Sequence, residues 1–334
     1  MTSSGYDQMV YRHVGKSGLR LPAFSLGLWH NFGSVDPMAT QRALIKRAFD
    51  LGITYFDLAN NYGPVPGSAE ENFGRILHDD LAGHRDELVI ASKAGYDMWP
   101  GPYGTFGSRK SIIASANQSL QRMGLDYVDI FYSHRFDPQT DLAETAGALD
   151  DLVRQGKALY IGISNYNGAQ TAAMMTEFAK LHTPFIIHQV RYNMFNRQPE
   201  TDLFPVLKKA GKAAIGFSPL SQGLLTDKYL NGIPANSRAS RSSSPFLQPK
   251  QVASTIKTVQ ALNDLAHSRH QTLAEMALAW NLREPELVSV LIGASRPGQL
   301  DDNVKALAHL DFTTDELAEI NRILDRQTQI DWSR

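Results

Sequence analysis

Residues 39–58 read Ala-Thr-Gln-Arg-Ala-Leu-Ile-Lys-Arg-Ala-Phe-Asp-Leu-Gly-Ile-Thr-Tyr-Phe-Asp-Leu. Apolar residues recur at helical spacing through Ala39–Leu51, and Gly52 stands where a C-terminal glycine stop belongs. Ile53–Leu58 is then a short run rich in β-branched and aromatic residues, too brief for a helix. The stretch therefore predicts a helix that delivers the chain directly into a buried strand. The pattern repeats in both directions. Strand-like runs fall at Phe24–Leu28, Leu88–Ser92, Tyr127–Tyr132, Leu159–Ile163, Phe185–Val190, Ala213–Phe217 and Val288–Ile292, which with Ile53–Leu58 makes eight. Helical patterns include Ser111–Met123, Leu142–Arg154, Gln170–Leu181 and Gln299–Ala308. Eight strands alternating with helices is the count of an α/β protein of the (β/α)8 TIM-barrel type.

No composition break divides the chain, so a single barrel domain over residues 1–334 is expected. Met9–Val14 and Leu19–Leu21 flank Gly15-Lys16-Ser17-Gly18 and read as an N-terminal hairpin. Phe312–Leu324 reads as an extra C-terminal helix, followed by a tail. The uneven segment is Ser221–Lys250, a Ser-, Asn- and Pro-rich stretch after the seventh barrel strand. Composition alone suits a solvated loop. Its position beside the catalytic face of a barrel suits a lid.

Composition removes several function classes. Lys+Arg 33 against Asp+Glu 34 leaves a formal charge of −1, without the basic excess of a nucleic-acid binder. The chain has no cysteine, so disulfides, thiolate metal sites and a cysteine nucleophile are excluded, and no metal site is expected. No uncharged apolar run approaches the roughly 18 residues that a membrane helix needs. The first residues lack the apolar core of a signal peptide, so the expected location is cytoplasmic.

Chemistry in such a barrel sits at the C-terminal strand ends and in the loops beyond them. There the chain carries Asp57, Lys93 and His134, with Tyr62 just past Asp57. Singly each has a bland reading as a cap, a solvated charge, a hydrogen-bonded imidazole or rim packing. A barrel converges them on one mouth, where they make sense as proton-transfer machinery. A phenol, with an ordinary pKa of about 10, is a poor acid near neutrality unless assisted. A nearby ammonium favours the phenolate, a carboxylate keeps the ammonium charged, and an imidazole orients a carbonyl oxygen.

With these residues in place the chain resembles the aldo-keto reductases over almost its full length. The matching blocks are Gly52-Ile53-Thr54-Tyr55-Phe56-Asp57-Leu58-Ala59-Asn60-Asn61-Tyr62-Gly63, Glu70-Glu71-Asn72-Phe73-Gly74, Ser92-Lys93, Ser133-His134 and Gly162-Ile163-Ser164-Asn165. Phe217-Ser218-Pro219-Leu220, Leu291-Ile292-Gly293-Ala294-Ser295 and Asn303 complete them. The resemblance implies NAD(P)H-dependent reduction of aldehydes or ketones by a tetrad of Asp57, Tyr62, Lys93 and His134. In it Tyr62 is the general acid, Lys93 tunes it, Asp57 holds Lys93, and His134 orients the carbonyl. Within the family the chain is most similar to the branch that holds bacterial L-glyceraldehyde-3-phosphate reductases and potassium-channel β subunits. A nucleotide-bound, redox-sensing auxiliary subunit is therefore the alternative function. His134 weighs for the enzyme, because channel β subunits carry Asn at the matching position.

The same resemblance implies where a cofactor would lie. Ser164, Asn165 and Gln189 would hold its carboxamide, Phe217 would stack on the nicotinamide, and Trp29 and Asp57 would complete that end. The phosphates would meet Ser218, Pro219, Leu220, Gln222 and Gly223 on one loop and Gly293 and Ser295 on the next. Gln299, Asp302 and Asn303 would surround the adenine-ribose end. There is no G-x-G-x-x-G after the first strand, and the commonest family pattern, a Lys-Ser pair followed by Arg, is replaced here by Gly293-Ala294-Ser295 with Gln299. Lys228, Arg238 and Arg296 remain as sources of positive charge, and NADPH is the expected cofactor. Trp29, Tyr62, Trp99 and His134 are the expected substrate contacts, with His30 and Tyr103 also at the mouth. Arg135 or Arg109 is placed to bind a substrate phosphate. The branch implies small aldehydes such as L-glyceraldehyde 3-phosphate and methylglyoxal, and a homo-oligomer, tetramer or octamer.

Overall fold

The computed structural model describes residues 5–235, 237–240, 247–327 and 330. A short antiparallel hairpin comes first, β1 (Tyr11–His13) paired with β2 (Arg20–Pro22). Eight parallel strands follow: β3 (Phe24–Gly27), β4 (Tyr55–Asp57), β5 (Val89–Ala94), β6 (Val128–Ser133), β7 (Ala158–Ser164), β8 (Phe185–Arg191), β9 (Ala213–Phe217) and β10 (Leu287–Ile292). They pair in sequence order, and β10 returns to β3, closing the (β/α)8 barrel. The hairpin's Val14 and Leu21 are fully withdrawn from water in one cluster with Tyr55, Tyr132, Ile187 and Ile215 from the strands. It plugs the barrel at the end opposite the chemistry.

The outer ring consists of α1 (Met38–Asp50), α2 (Ser68–Asp80), α3 (Arg109–Met123), α4 (Leu142–Arg154), α5 (Gly168–Leu181) and α6 (Phe204–Ala210). After β9 come α7 (Pro249–Ser268) and α8 (Leu273–Leu282), and after β10 come α9 (Pro297–Val304) and α10 (Thr314–Asp325). Local chemistry explains the boundaries. Ser108 and Asp141 accept backbone N–H bonds at the starts of α3 and α4, and Thr272 and Thr313 build capping boxes with Glu275 and Glu316. The left-handed residues Gly124 and Gly211 stop α3 and α6. Helix α1 ends at Asp50 and Gly52 turns the chain at φ 78°, as the quoted stretch predicts.

The stretch Ser221–Lys250 is more structured than its composition implies. It holds helical turns at Ser221–Gly223 and Asp227–Tyr229, and α7 begins within its last two residues. Leu224, Tyr229, Ala239 and Leu247 form a buried cluster with Val252 of α7. Spaced apolar residues inside a polar run give it a core of its own. Positions 236 and 241–246 of the stretch lie outside the described residues. Among the described residues no helix is long and apolar enough to cross a membrane.

One glycine shapes the barrel directly beneath the catalytic layer. Gly162 on β7 is in register with Tyr132 on β6, and a Cβ there would lie 2.3 Å from the Tyr132 ring. The ring occupies the space that any side chain would need. Gly162→Ala should lower stability by about 1–3 kcal/mol through overpacking. A urea midpoint equal to that of the parent protein would show that the ring has room to move.

Candidate active site

The expected tetrad comes together at the C-terminal mouth. Strand pairing sets Asp57 on β4 beside β5, which carries Lys93 two residues farther out, and the loop after β4 is tied down where Asn60 N–H donates to the Lys93 carbonyl at 2.9 Å. Lys93, 0% exposed, donates from Nζ to Asp57 Oδ2 at 2.6 Å, to the Leu58 carbonyl at 2.5 Å and to Tyr62 Oη at 3.4 Å. Gln189 Nε2 on β8 donates to Asp57 Oδ1 at 2.8 Å. Tyr55 OH lies 3.4 Å from that same oxygen and 2.9 Å from Tyr132 OH. Both carboxylate oxygens are thus engaged, and the ammonium has three acceptors.

His134 follows β6. Its N–H donates to Ala94 O at 2.8 Å, and Asn165 Nδ2 donates to its carbonyl at 3.0 Å. Asn165 reaches it from a left-handed backbone at φ 57° just past β7. The imidazole stands edge-on to Tyr62 and Tyr96, with ring centres 5.8 and 4.6 Å apart, and its Nδ1 is buried without a hydrogen-bond partner.

Electrostatics assign the resting proton positions. Burial raises the Asp57 carboxyl and lowers the Lys93 ammonium, while their mutual attraction opposes both shifts. Burial also lifts the Tyr62 phenol well above its ordinary value, and the charge of Asp57 adds to the rise. The lowering expected from Lys93 does not appear in the resting site, where desolvation of a phenolate sets the direction. Tyr62 therefore holds its proton at neutral pH. Burial, with Lys93 and Arg135 nearby, drives His134 well below the usual imidazole range, so it is neutral. A protonated phenol and a neutral imidazole converge at the mouth, backed by one buried ion pair.

Beside them lies a cradle. Phe217 ends β9, and Ser218, Ser221 and Gln222 follow with left-handed φ of 56°, 45° and 61°, turning the chain sharply through Pro219 and Leu220 to Gly223. Asn193 Nδ2 braces this loop through the Ser218 carbonyl at 2.8 Å. On the next loop a Cβ at Gly293 would meet nothing within 4 Å, so the backbone faces open space. Trp29 packs at a tilt on His30 with ring centres 4.3 Å apart and lies 6.2 Å from the Tyr62 ring. The positive charge of Arg238 is felt at His30, whose pKa burial and that charge together push down to about 4. The stretch after β9 therefore reaches the loop after β3.

The family model for aldo/keto reductases matches residues 23–325. The L-glyceraldehyde 3-phosphate reductases of two Escherichia coli strains are 56% identical over 321 residues, covering 95% of this chain and 93% of theirs. A putative voltage-gated potassium channel subunit beta of Schizosaccharomyces pombe is 36% identical over 325 residues, covering 94% of this chain and 93% of its own. The chain belongs to the aldo/keto reductase family.

As an aldo/keto reductase it is an oxidoreductase, and the structure places the other residues expected at its site. Ser164 is fully buried, and its Oγ accepts from Asn165 Nδ2 at 3.1 Å. The Gln299 side chain accepts from Ser295 N–H at 2.7 Å, closing the turn into α9 instead of standing free. Asp302 pairs with Lys305 at 2.9 Å, whereas Asn303 is buried. Lys228 lies 5.9 Å from the Tyr229 ring centre, by the turn after Gly223. Trp99 is half-buried in a turn closed by Met98 N–H on Gly104 O at 2.9 Å, and among the described residues it makes no ring contact with Tyr62 or His134. Tyr96 takes that place.

Both expected phosphate-binding arginines have partners within the protein. Arg109 pairs with Asp151, and Arg135 donates to Gly95 O at 2.8 Å with its guanidinium 4.5 and 3.9 Å from the Tyr96 and Phe106 ring centres. The residues that the sequence reading missed, Tyr55, Tyr132 and Arg191, share a signal. Each stands two positions from a recognised site residue, Asp57, His134 or Gln189, and the period of a strand puts such pairs on one face.

Three imidazoles here are held neutral: His134, His30, and His188 of β8, whose burial lowers its pKa to about 3. In the unfolded chain each would titrate near about 6.5. Below that value the unfolded chain binds protons that the folded one refuses, so stability is fully present above it and falls with falling pH. Tm should decline from pH 6.5 toward pH 4, and His188→Gln should flatten the decline. A Tm independent of pH over that range would mean that these rings take up protons without unfolding.

Proposed function

We propose that this aldo/keto reductase reduces short, polar aldehydes, L-glyceraldehyde 3-phosphate and methylglyoxal among them, to alcohols with NADPH as hydride donor. The observation that carries the reading is the Tyr62 hydroxyl, protonated by burial, 3.4 Å from Lys93 Nζ and faced by a neutral His134. Carbonyl reduction needs a proton at oxygen as a hydride reaches carbon, and no residue here can supply the hydride. A bound nicotinamide nucleotide supplies it.

The cradle fits such a group. Phe217 offers a ring face at the mouth, the left-handed turn from Ser218 to Gly223 directs backbone toward it, and the Gly293 backbone is open. Ser164, Asn165 and Gln189 carry the amide and hydroxyl groups that would meet a carboxamide. Lys228, Arg238 and Arg296 supply positive charge for the 2′-phosphate that separates NADPH from NADH. The stretch Ser221–Lys250, packed on its own core, would cover this cradle.

The chain's own residues do the rest. The carbonyl oxygen accepts from Tyr62 Oη and from the His134 imidazole, which fixes its direction without bringing charge. As negative charge grows on that oxygen the Tyr62 proton moves to it, and the Lys93 ammonium stabilises the phenolate left behind. Asp57 acts through Lys93, holding the ammonium in place and charged. Trp29 and Tyr96 wall the site.

Tyr62→Phe removes the donor and keeps the ring. It should lower kcat about 10²- to 10⁴-fold, the usual share of general acid catalysis, with the Kd for NADPH barely changed. A panel of aldehydes and ketones with NADPH and with NADH, read as kcat/KM, tests the substrate class. Much higher values for long apolar ketones than for any three-carbon aldehyde would refute it. Near-normal turnover by Tyr62→Phe would transfer the acid's role to another group, His134 first.

A further inference from the structure

Arg191 is the last residue of β8, two positions beyond Gln189. The strand period sends both side chains to the same face, and two residues advance the chain by about 7 Å. Gln189 bonds Asp57, so Arg191 stands one layer farther out, at the mouth. In register it is the partner of Phe217, and its guanidinium carbon lies 5.8 Å from the Phe217 ring centre. On its other side it lies within electrostatic reach of Tyr96, the ring packed against His134.

Among the described residues this guanidinium has no hydrogen-bond acceptor and no ion-pair partner, and it lies by the Phe217 ring. The contrast with Arg135 and Arg109, both committed to partners, is direct. Arg191 also borders a small cleft lined with Asn193, Asn196, Ser218, Ser221 and Gln222. None of these is acidic. The buried Gln222 Oε1 has no hydrogen-bond partner, so the side chain's polar end is not committed within the protein. An arginine fork matches the oxygens of a phosphate bidentately, and such charge-assisted bonds are the strong ones.

We propose that Arg191 binds the phosphate of a phosphorylated three-carbon aldehyde whose carbonyl is at Tyr62 and His134. The inference rests on the small-aldehyde reading above and gives that substrate its specificity residue. The strand position favours substrate over cofactor as the source of the phosphate. Arg191 belongs to β8 and lies within electrostatic reach of Tyr96, the ring packed on His134; its cleft is shared with the loop after β9, so a cofactor phosphate is the competing occupant that the test separates. The guanidinium takes no part in proton or hydride movement; it holds the far end of the substrate.

The test compares the parent enzyme with Arg191→Gln and Arg191→Lys on L-glyceraldehyde 3-phosphate and on unphosphorylated L-glyceraldehyde. The ratio of the two kcat/KM values should fall about 10- to 100-fold in Arg191→Gln, chiefly through KM for the phosphorylated aldehyde. Arg191→Lys, which keeps charge and loses the fork, should fall between. Calorimetric titration of glycerol 3-phosphate into enzyme saturated with NADP+ should show binding by the parent and its loss in Arg191→Gln, with Tm of the variant confirming the fold. Equal losses on both aldehydes, or a weakened Kd for NADPH, would place Arg191 on a cofactor phosphate and overturn the proposal. A parent enzyme indifferent to the phosphate would refute the substrate reading itself. A preference that survives in Arg191→Gln would refute only the role of Arg191.

Discussion

A buried ion pair, Lys93 with Asp57, is the constraint around which this mouth is built. Neither group meets water, and removing two charges from solvent costs several kcal/mol per ion unless every lone pair and proton finds a partner. The surroundings meet that demand from three strands. Gln189 comes from β8, Tyr55 from β4 itself, Tyr132 sits behind Tyr55 from β6, and the Leu58 carbonyl turns inward as β4 ends. Each is placed by the barrel's register, so the chemistry depends on closure of the sheet as much as on the tetrad's residue types.

The same low-dielectric setting decides protonation. It holds a proton on Tyr62 and keeps a second one off His134, so both groups facing the carbonyl site can donate a hydrogen bond while neither brings a charge. In water both would be commonplace side chains. The barrel makes one a dependable donor and the other a neutral ring, and leaves Lys93 to stabilise the charge that appears when Tyr62 gives up its proton. The hairpin plug contributes indirectly, because it keeps water from the far end of the interior in which Tyr55 and Tyr132 are buried.

The mouth also shows a division of labour among its cations. Lys93 is committed to Asp57, Arg135 to the Gly95 carbonyl and two aromatic rings, and Arg109 to Asp151, whereas Arg191 borders an uncharged polar cleft. The committed charges shape the walls. Electrostatic complementarity toward an anionic ligand then falls to the groups left over.

How much of this could be read from the chain alone follows from which interactions are local. Helical spacing in Ala39–Leu51, the stop at Gly52 and the apolar run that includes Tyr55–Asp57 are settled by near neighbours, and eight such units determined the barrel. Asp57, Tyr62, Lys93 and His134 were equally plain, because a strand's end is local and a barrel brings its strand ends to one mouth. The tertiary structure alone decided what those residues touch. That burial raises the Tyr62 phenol, that Gln299 closes its own turn and that Trp99 stays off the tetrad while Tyr96 packs on it are outcomes of contacts across the barrel. So is the choice among arginines, since Arg109, Arg135 and Arg191 are alike in sequence and differ only in the acceptors that folding brings to them. Pairing and desolvation are set by groups distant along the chain, and no local pattern encodes them.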